Sequence, residues 1–537
     1  MNDFRHIGVM VDCSRNAVMS ISALKRFIDC LQIMGYNTLG LYMEDTYEVK
    51  DEPYFGYLRG RYTAVELKEI DAYASRHGIE VIPYIQTLAH FTNTSNLPHY
   101  AKQRKLFDLS DILLVGDEKT YEFIDRLFAS LRKCFSSDEI HIGMDEADMV
   151  GLGKYLGLHG YCDRFDVLLN HLRRVAEIAA KYGFFAQMWG DMFLRLCPDI
   201  NSESARKNLE KVRKGLPENV ALTYWNYYHS DKEHYDKMFN VYKSLCKNVW
   251  FAGGAWCWNG FAPNARWTIA SMKPAMKSVR DNGIKDVMFT MWGDNGNECS
   301  KFALMHTLYA LRRFADGEFD EKNIAKQFNG LFAVSYEDMQ LLDLPDTIPD
   351  TEIKVIKDVV NPSKIMLYSD PFLGKFDLAM KAVAHIPYGD YAKQLYTAAE
   401  RSGELAYLFR SMAKLCSVLE IKAELGIRTR DAYKVKDAAR INSLIKDYDE
   451  CISRVREFYN EFERLWMTDN KPFGFEIQDA RLGGVILRLE HCRNRLIDYV
   501  GGKTHKIEEL EEKLLPFDEP DKLEFNSYRQ IISTGEM

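Results

Sequence analysis

Residues 139–148 read EIHIGMDEAD, an apolar run that ends in two adjacent carboxylates, Asp145 and Glu146, with Asp148 two residues on. A continuous apolar run, rather than an alternating one, is what a strand buried on both faces requires. Seven more runs of this kind surround it. They are HIGVMVD from His6, TLGLYME from Thr38, IEVIPYIQ from Ile79, FFAQMWGD from Phe184, VALTYWNY from Val220, VWFAGGAW from Val249 and DVMFTMWG from Asp286. The intervals carry helix signals. SISALKRFIDCLQIMGY has apolar residues three and four apart, and TAVELKEIDAYASRHG opens on a Thr63–Glu66 capping box and closes on Gly78. Eight strand–helix units predict an α/β fold, a closed (β/α)8 TIM barrel. An open doubly wound sheet would want a glycine-rich phosphate turn after an early strand, and the sequence offers none.

The strand ends support the barrel. They read VDCSRN, MEDTYE, IQTLAH, MDEAD, MWGD, YWNYY, AWCWNG and MWGDN, rich in acids and rings, while the strand starts read as plain. In a barrel all eight ends meet on one face, where the active site lies. Five of the chain's 8 tryptophans, Trp189, Trp225, Trp256, Trp258 and Trp292, fall there. Rings around a circle of polar groups suit a carbohydrate, whose C–H faces stack and whose hydroxyls need paired partners.

Beyond the barrel, LDLPDTIPDTE marks a boundary, and an amphipathic helical domain follows; the division expected is 1–335 and 336–537. The segment NKPFGFEIQDARLGG from Asn470 reads either as a helix–helix corner or as a loop that reaches a sugar site through Phe473–Arg481, in its own chain or a partner's. The formal net charge is −8 and basic residues are scattered, which argues against a nucleic-acid platform. No apolar run approaches the roughly 18 residues that cross a bilayer. The start, MNDFRHIGVMVD, lacks the pattern of a signal peptide, and the 11 cysteines include no C-x-x-C pair. A reducing, cytoplasmic setting is therefore expected, without disulfides or a structural zinc.

HIGMDE fits the His-x-Gly-x-Asp-Glu signature of glycoside hydrolase family 20, the β-N-acetylhexosaminidases. VMVDCSRN, YNTLGLYMEDTYE, IQTLAH and TMWGDNGNE resemble that family's first, second, third and eighth strand segments, in order. The chain resembles the compact bacterial branch with a helical C-terminal domain. What the resemblance implies is a retaining, substrate-assisted glycosidase. The substrate's own acetamido oxygen attacks C1, Glu146 serves as general acid and then base, and Asp145 stays ionised against the acetamido nitrogen. His90 would link Glu44, or else Asp45, to Glu146. His141 would join the carboxylate network. Arg15 would hold the 3- and 4-hydroxyls and Asp294 the 4- or 6-hydroxyl. Trp189, Trp256 and Trp292 would box the acetamido methyl, with Trp225, Trp258 and Asn259 nearby.

The pattern departs from the family in two places. The second strand lacks the usual His-Trp-His, and the seventh has no tyrosine, which leaves Tyr227 or Tyr228 to donate to the acetamido oxygen. The expected substrate is a small oligosaccharide or glycoconjugate ending in β-linked GlcNAc or GalNAc, with no metal or organic cofactor and with a homodimer as one expectation for the helical tail. Two alternatives stay open. One is an exo-β-glucosaminidase with a carboxylate nucleophile such as Asp191 or Asp294, the other a glycan-binding barrel without catalysis.

Overall fold

A computed structural model of the chain describes residues 4–197, 203–349, 361–381, 385–516 and 527–535. Eight parallel strands close into a barrel: β1 His6–Asp12, β2 Thr38–Tyr42, β3 Glu80–Tyr84, β4 Glu139–His141, β5 Phe185–Trp189, β6 Val220–Asn226, β7 Val249–Gly254 and β8 Asp286–Met291. Each pairs with its sequence neighbour, and β8 closes on β1 with His6 opposite Asp286. β1, β2, β7 and β8 are buried at every residue, as their unbroken apolar runs require. The helix Ile21–Met34 caps on Ser20 and ends at a left-handed Gly35, and Ala64–Arg76 carries both legs of the Thr63–Glu66 capping box.

The barrel interior is filled rather than open. Met10, Tyr42, Ile82, Tyr84, Trp189, Trp250 and Met288 pack across it, with Ala221 and Ala252 making room for the rings. The floor departs from the sequence reading, because the strand starts are not plain. The His6 imidazole stacks on Trp250 at 4.6 Å, with Nδ1 2.9 Å from Asp286 and Nε2 3.2 Å from Glu80. Arg5 also bonds Asp286 through Nε at 2.8 Å. Burial pulls the His6 pKa down, but Asp286 and Glu80 win and raise it to about 9.

A pKa raised in the folded state contributes stability below the unfolded value, near 6.5, that is lost as pH rises through about 9. Wild-type protein should therefore lose more melting temperature between pH 7 and 9.5 than His6→Gln. Parallel curves for the two would contradict the arrangement.

After the barrel the chain is helical. Ala406–Lys434, Ala438–Asp469 and Phe475–Val500 pack side by side, joined by short links. Residues 350–352 of the Pro/Asp-rich stretch lie outside the described residues. The buried Asp469 ties this region to the barrel, accepting from Tyr407 Oη at 2.7 Å and from Ser300 Oγ, with Arg26 at 3.3 Å. Among the described residues no helix is long and apolar enough to cross a membrane. The cysteines are free thiols, most of them buried.

Candidate active site

The regular part of β4 stops at His141, shorter than the apolar run suggested. Gly143, Met144 and Glu146 all take left-handed backbone, with φ of 72°, 73° and 52°. Gly143 is required at the first of these, since a Cβ there would lie 2.0 Å from Gln86 Oε1. Gln86 fixes this turn from β3's end. Its Oε1 accepts from the Met144 N–H at 3.1 Å, and its Nε2 donates to Asp145 Oδ1 at 2.8 Å. The turn drives Asp145 inward and leaves Glu146 half exposed, its side chain 47% accessible against 11% for Asp145.

His90, itself at φ 60°, stands over both acids. Its Nε2 lies 3.2 Å from Asp145 Oδ2 and 3.8 Å from Glu146 Oε2. Although burial opposes it, the Asp145 charge holds the imidazole pKa at about 9, so His90 is a cation at neutral pH. Burial likewise penalises the Asp145 carboxylate, yet His90 and Gln86 hold its pKa below the usual range. Asp145 is a fixed, buried negative charge.

One pocket gathers Arg15, His90, Asp145, Glu146, Trp189, Trp225, Tyr227, Tyr228, Trp258, Trp292 and Asp294. Trp189 and Trp292 stand 6.0 Å apart, and Tyr227 stacks on Trp225 at 5.2 Å. Trp292 Nε1 donates to Tyr227 Oη at 3.0 Å. Arg15 is held by Asp12 at 3.3 Å, by Ser14 Oγ at 3.0 Å and by Glu44 at 3.2 Å, its guanidinium over the Tyr42 and Trp292 rings. Burial pushes the Asp294 pKa up to about 6 against the pull of Arg15.

Four expectations change. Trp256 does not line the pocket; it is fully buried behind it, stacked on Trp258 at 4.5 Å. His141 does not join the carboxylates. It is sandwiched between Tyr84 at 4.6 Å and Trp189 at 4.1 Å, its Nδ1 accepting from the Gly143 N–H. Burial lowers its pKa to about 3, so it is a neutral support under Trp189. Glu44 turns to Tyr42 Oη at 3.1 Å and to Arg15, while His90 reaches Asp145. Asp45 pairs with Arg59 at 3.0 Å, and Asn259 is buried.

Three groups escaped the sequence reading: Gln86, Asp12 and Arg195. Gln86 and Asp12 are polar residues closing apolar runs, a signal that was present. Arg195 follows β5 and touches Asp191 at 3.3 Å, Asp148 at 2.7 Å and Glu146 at 3.4 Å. Asp191 accepts from the Glu146 N–H at 3.3 Å, and burial together with the Asp145 charge raises its pKa to about 7.

The segment from Asn470 reaches this face of its own chain. Asn470 pairs with Met19, Lys471 N–H donates to Val18 O, and Arg481 bonds Asn295 and Glu298 beside Asp294. Among the described residues no cluster of three or more His, Cys, Asp or Glu is arranged to hold a metal ion.

Comparison with known proteins matches residues 4–238 to "Glycosyl hydrolase family 20, catalytic domain" and residues 337–529 to "Glycoside Hydrolase 20C C-terminal domain". A beta-hexosaminidase of Vibrio furnissii is 29% identical over 218 residues, 32% of this chain and 35% of the relative. Beta-hexosaminidase 3 of Arabidopsis thaliana is 23% identical over 234 residues, 41% of this chain and 43% of the relative. The match thus spans well under half the length of either curated relative. Among solved structures, a GH20 exo β-N-acetylglucosaminidase from Vibrio harveyi, in complex with N-acetylglucosamine, is 17% identical with a TM-score of 0.47, over 63% of this chain and 58% of that one.

Proposed function

The chain belongs to glycoside hydrolase family 20, and from that premise we propose that it is an exo-β-N-acetylhexosaminidase. It hydrolyses non-reducing terminal β-linked GlcNAc or GalNAc with retention, using the substrate's acetamido group as nucleophile. The observation that carries this is the position of the two acids. Both approach one nitrogen of His90, at 3.2 and 3.8 Å, so they share a partner instead of facing each other across a sugar. The ordinary two-carboxylate route needs acids on opposite sides of the glycosidic bond, and family 20 is among its exceptions.

The proposed steps follow from the charges. The acetamido oxygen bonds to C1 as the bond from C1 to the leaving oxygen breaks, and Glu146 gives that oxygen its proton. Positive charge spreads onto the acetamido nitrogen of the oxazolinium ion, where the fixed Asp145 carboxylate stabilises it at no cost in reorganisation. Glu146 then takes a proton from water, which adds to C1 from the leaving group's side as the bond from C1 to the acetamido oxygen breaks and the acetamido group is restored. Tyr227 receives a hydrogen bond from Trp292, which leaves its own O–H to donate to the acetamido oxygen. Trp189 and Trp292 flank the methyl. Arg15 and Asp294 hold the hydroxyls at the far end.

The glucosaminidase alternative fits less well. Asp191 has one oxygen engaged by the Glu146 N–H and by Arg195, and its raised pKa keeps much of it protonated at neutral pH.

The test compares nitrophenyl β-glycosides of N-acetylglucosamine and of glucosamine. The deacetylated substrate lacks the nucleophile and should be cleaved at least about a thousandfold more slowly, on the scale of about 1.4 kcal/mol per decade. Similar rates would overturn the reading. In the same assay Tyr227→Phe should lower kcat on the acetylated substrate by about 10- to 100-fold, as loss of one oriented donor does.

A further inference from the structure

Asp294 lines the sugar pocket with its side chain exposed, and among the described residues no hydrogen-bond donor or ion-pair partner holds its carboxylate. Its direction therefore comes from its own backbone. That backbone is unusual: Asp294 at φ 32° and Asn297 at φ 53° are left-handed, with Gly296 at φ 120° between them. Residues other than glycine keep such conformations where the surroundings over-determine them. Asp12 fixes the start of this loop, 293–298, by accepting the Gly293 N–H at 2.9 Å.

The middle of the loop is fixed from beyond the barrel. Asn295, next in the chain to Asp294, has both its oxygens occupied. Its main-chain oxygen accepts from Lys364 Nζ at 2.9 Å and from Arg481 Nη1 at 3.2 Å. Its side-chain oxygen accepts from Arg481 Nη2 at 2.8 Å and from the Tyr528 N–H at 3.0 Å. Gln478 donates to Gly296 O at 3.1 Å, and a Cβ on Gly296 would sit 2.4 Å from Arg481 Nη1, so the guanidinium lies directly against the loop. Glu298 balances the two cations, 2.7 Å from Lys364 and 3.0 Å from Arg481, and all three are buried.

We propose that Arg481, in the helix Phe475–Val500, is a positioning residue for sugar recognition. With Lys364 and Gln478 it holds the loop so that Asp294 meets its hydroxyl, and the helical region thereby sets discrimination at the 4- or 6-position of the sugar. The inference rests on the role given to Asp294 in the hexosaminidase reading. A planar fork that grips the main-chain and side-chain oxygens of one residue fixes that residue's orientation, which a flexible ammonium alone would not. Asp294 works at the end of the sugar away from C1 and the acetamido group, so its contact is the same in ground and transition states. Losing its aim should raise KM and leave kcat nearly unchanged.

The test uses nitrophenyl N-acetyl-β-glucosaminide with its 4-deoxy and 6-deoxy forms, and the variants Asp294→Asn, Arg481→Met and the two combined. Arg481→Met leaves Glu298 paired with Lys364, so no buried charge is orphaned. Wild-type enzyme should lose about tenfold or more in kcat/KM on at least one deoxy substrate. Arg481→Met should raise KM on the parent about tenfold, with kcat within about threefold, and shrink that deoxy penalty to about threefold or less. Added to Asp294→Asn it should cost less than about twofold more, because no carboxylate is left to aim. Gln478→Leu, which disturbs no charge, should show the same pattern more weakly, and it decides by the same criteria if Arg481→Met does not fold. Additive effects in the pair, or an unchanged deoxy penalty in the folded variant, would overturn the proposal. An Asp294→Asn enzyme with unchanged KM and unchanged penalties would overturn it together with the role of Asp294. If the parent substrate itself were inert to wild-type enzyme, the hexosaminidase reading would fail.

Discussion

Asp145→Asn should lower kcat on an aryl N-acetyl-β-glucosaminide by about a thousandfold or more, roughly 4 kcal/mol, with KM changed far less. Asn has the same shape and keeps the Gln86 contact in reach, so the loss isolates charge from packing. Asp145 is ionised because His90 and Gln86 overcome the cost of its burial. In a site screened from water, a full charge aimed at a developing cation is worth far more than in solvent. The loss should be the same for every leaving group, because the stabilised charge lies on the acetamido nitrogen. The variant should stay folded by circular dichroism. A loss below tenfold would remove Asp145 from the role given to it.

Glu146→Gln should behave differently. With an alkyl or sugar leaving group the loss should reach about 10³–10⁴, within the range for a missing general acid. With dinitrophenolate, which leaves without help, bond cleavage should fall by less than about tenfold. Turnover would then be limited by water attack, and azide should accelerate it, because an anion needs no base. The half-exposed position of Glu146 fits a group that must meet both leaving group and incoming water. Azide and dinitrophenolate should not rescue Asp145→Asn. Equal rescue of both variants would mean that the two roles are wrongly divided.

The barrel was legible because burial on both faces leaves an unbroken apolar run, and eight such runs with helix signals between them admit few closures. The acid pair was legible because two adjacent carboxylates at a strand end are costly unless each has a task. What each acid faces was not. That depends on three left-handed residues around Gly143, whose requirement comes from Gln86, almost sixty positions away. Trp256 and Trp258 follow the end of β7, where alternation no longer assigns a face, so spacing could not tell the ring that lines the pocket, Trp258, from the one packed behind it. His141 matched a motif but serves packing beneath Trp189. The floor cluster of His6, Glu80 and Asp286 passed as ordinary strand-start charges, because its meaning appears only when β1, β3 and β8 converge. Arg481 reaches the β8 loop from a helix nearly two hundred residues later, a contact no local pattern encodes.

The central claim is that the nucleophile belongs to the substrate. Its most direct measurement is kcat/KM across aryl β-glucosaminides bearing N-acetyl, N-fluoroacetyl, N-difluoroacetyl and N-trifluoroacetyl groups. Fluorine draws electrons from the amide oxygen while barely changing its size. The account predicts a steady fall totalling about 10³ or more across the series. A flat series, with the trifluoroacetyl substrate cleaved as fast as the acetyl one, would contradict it.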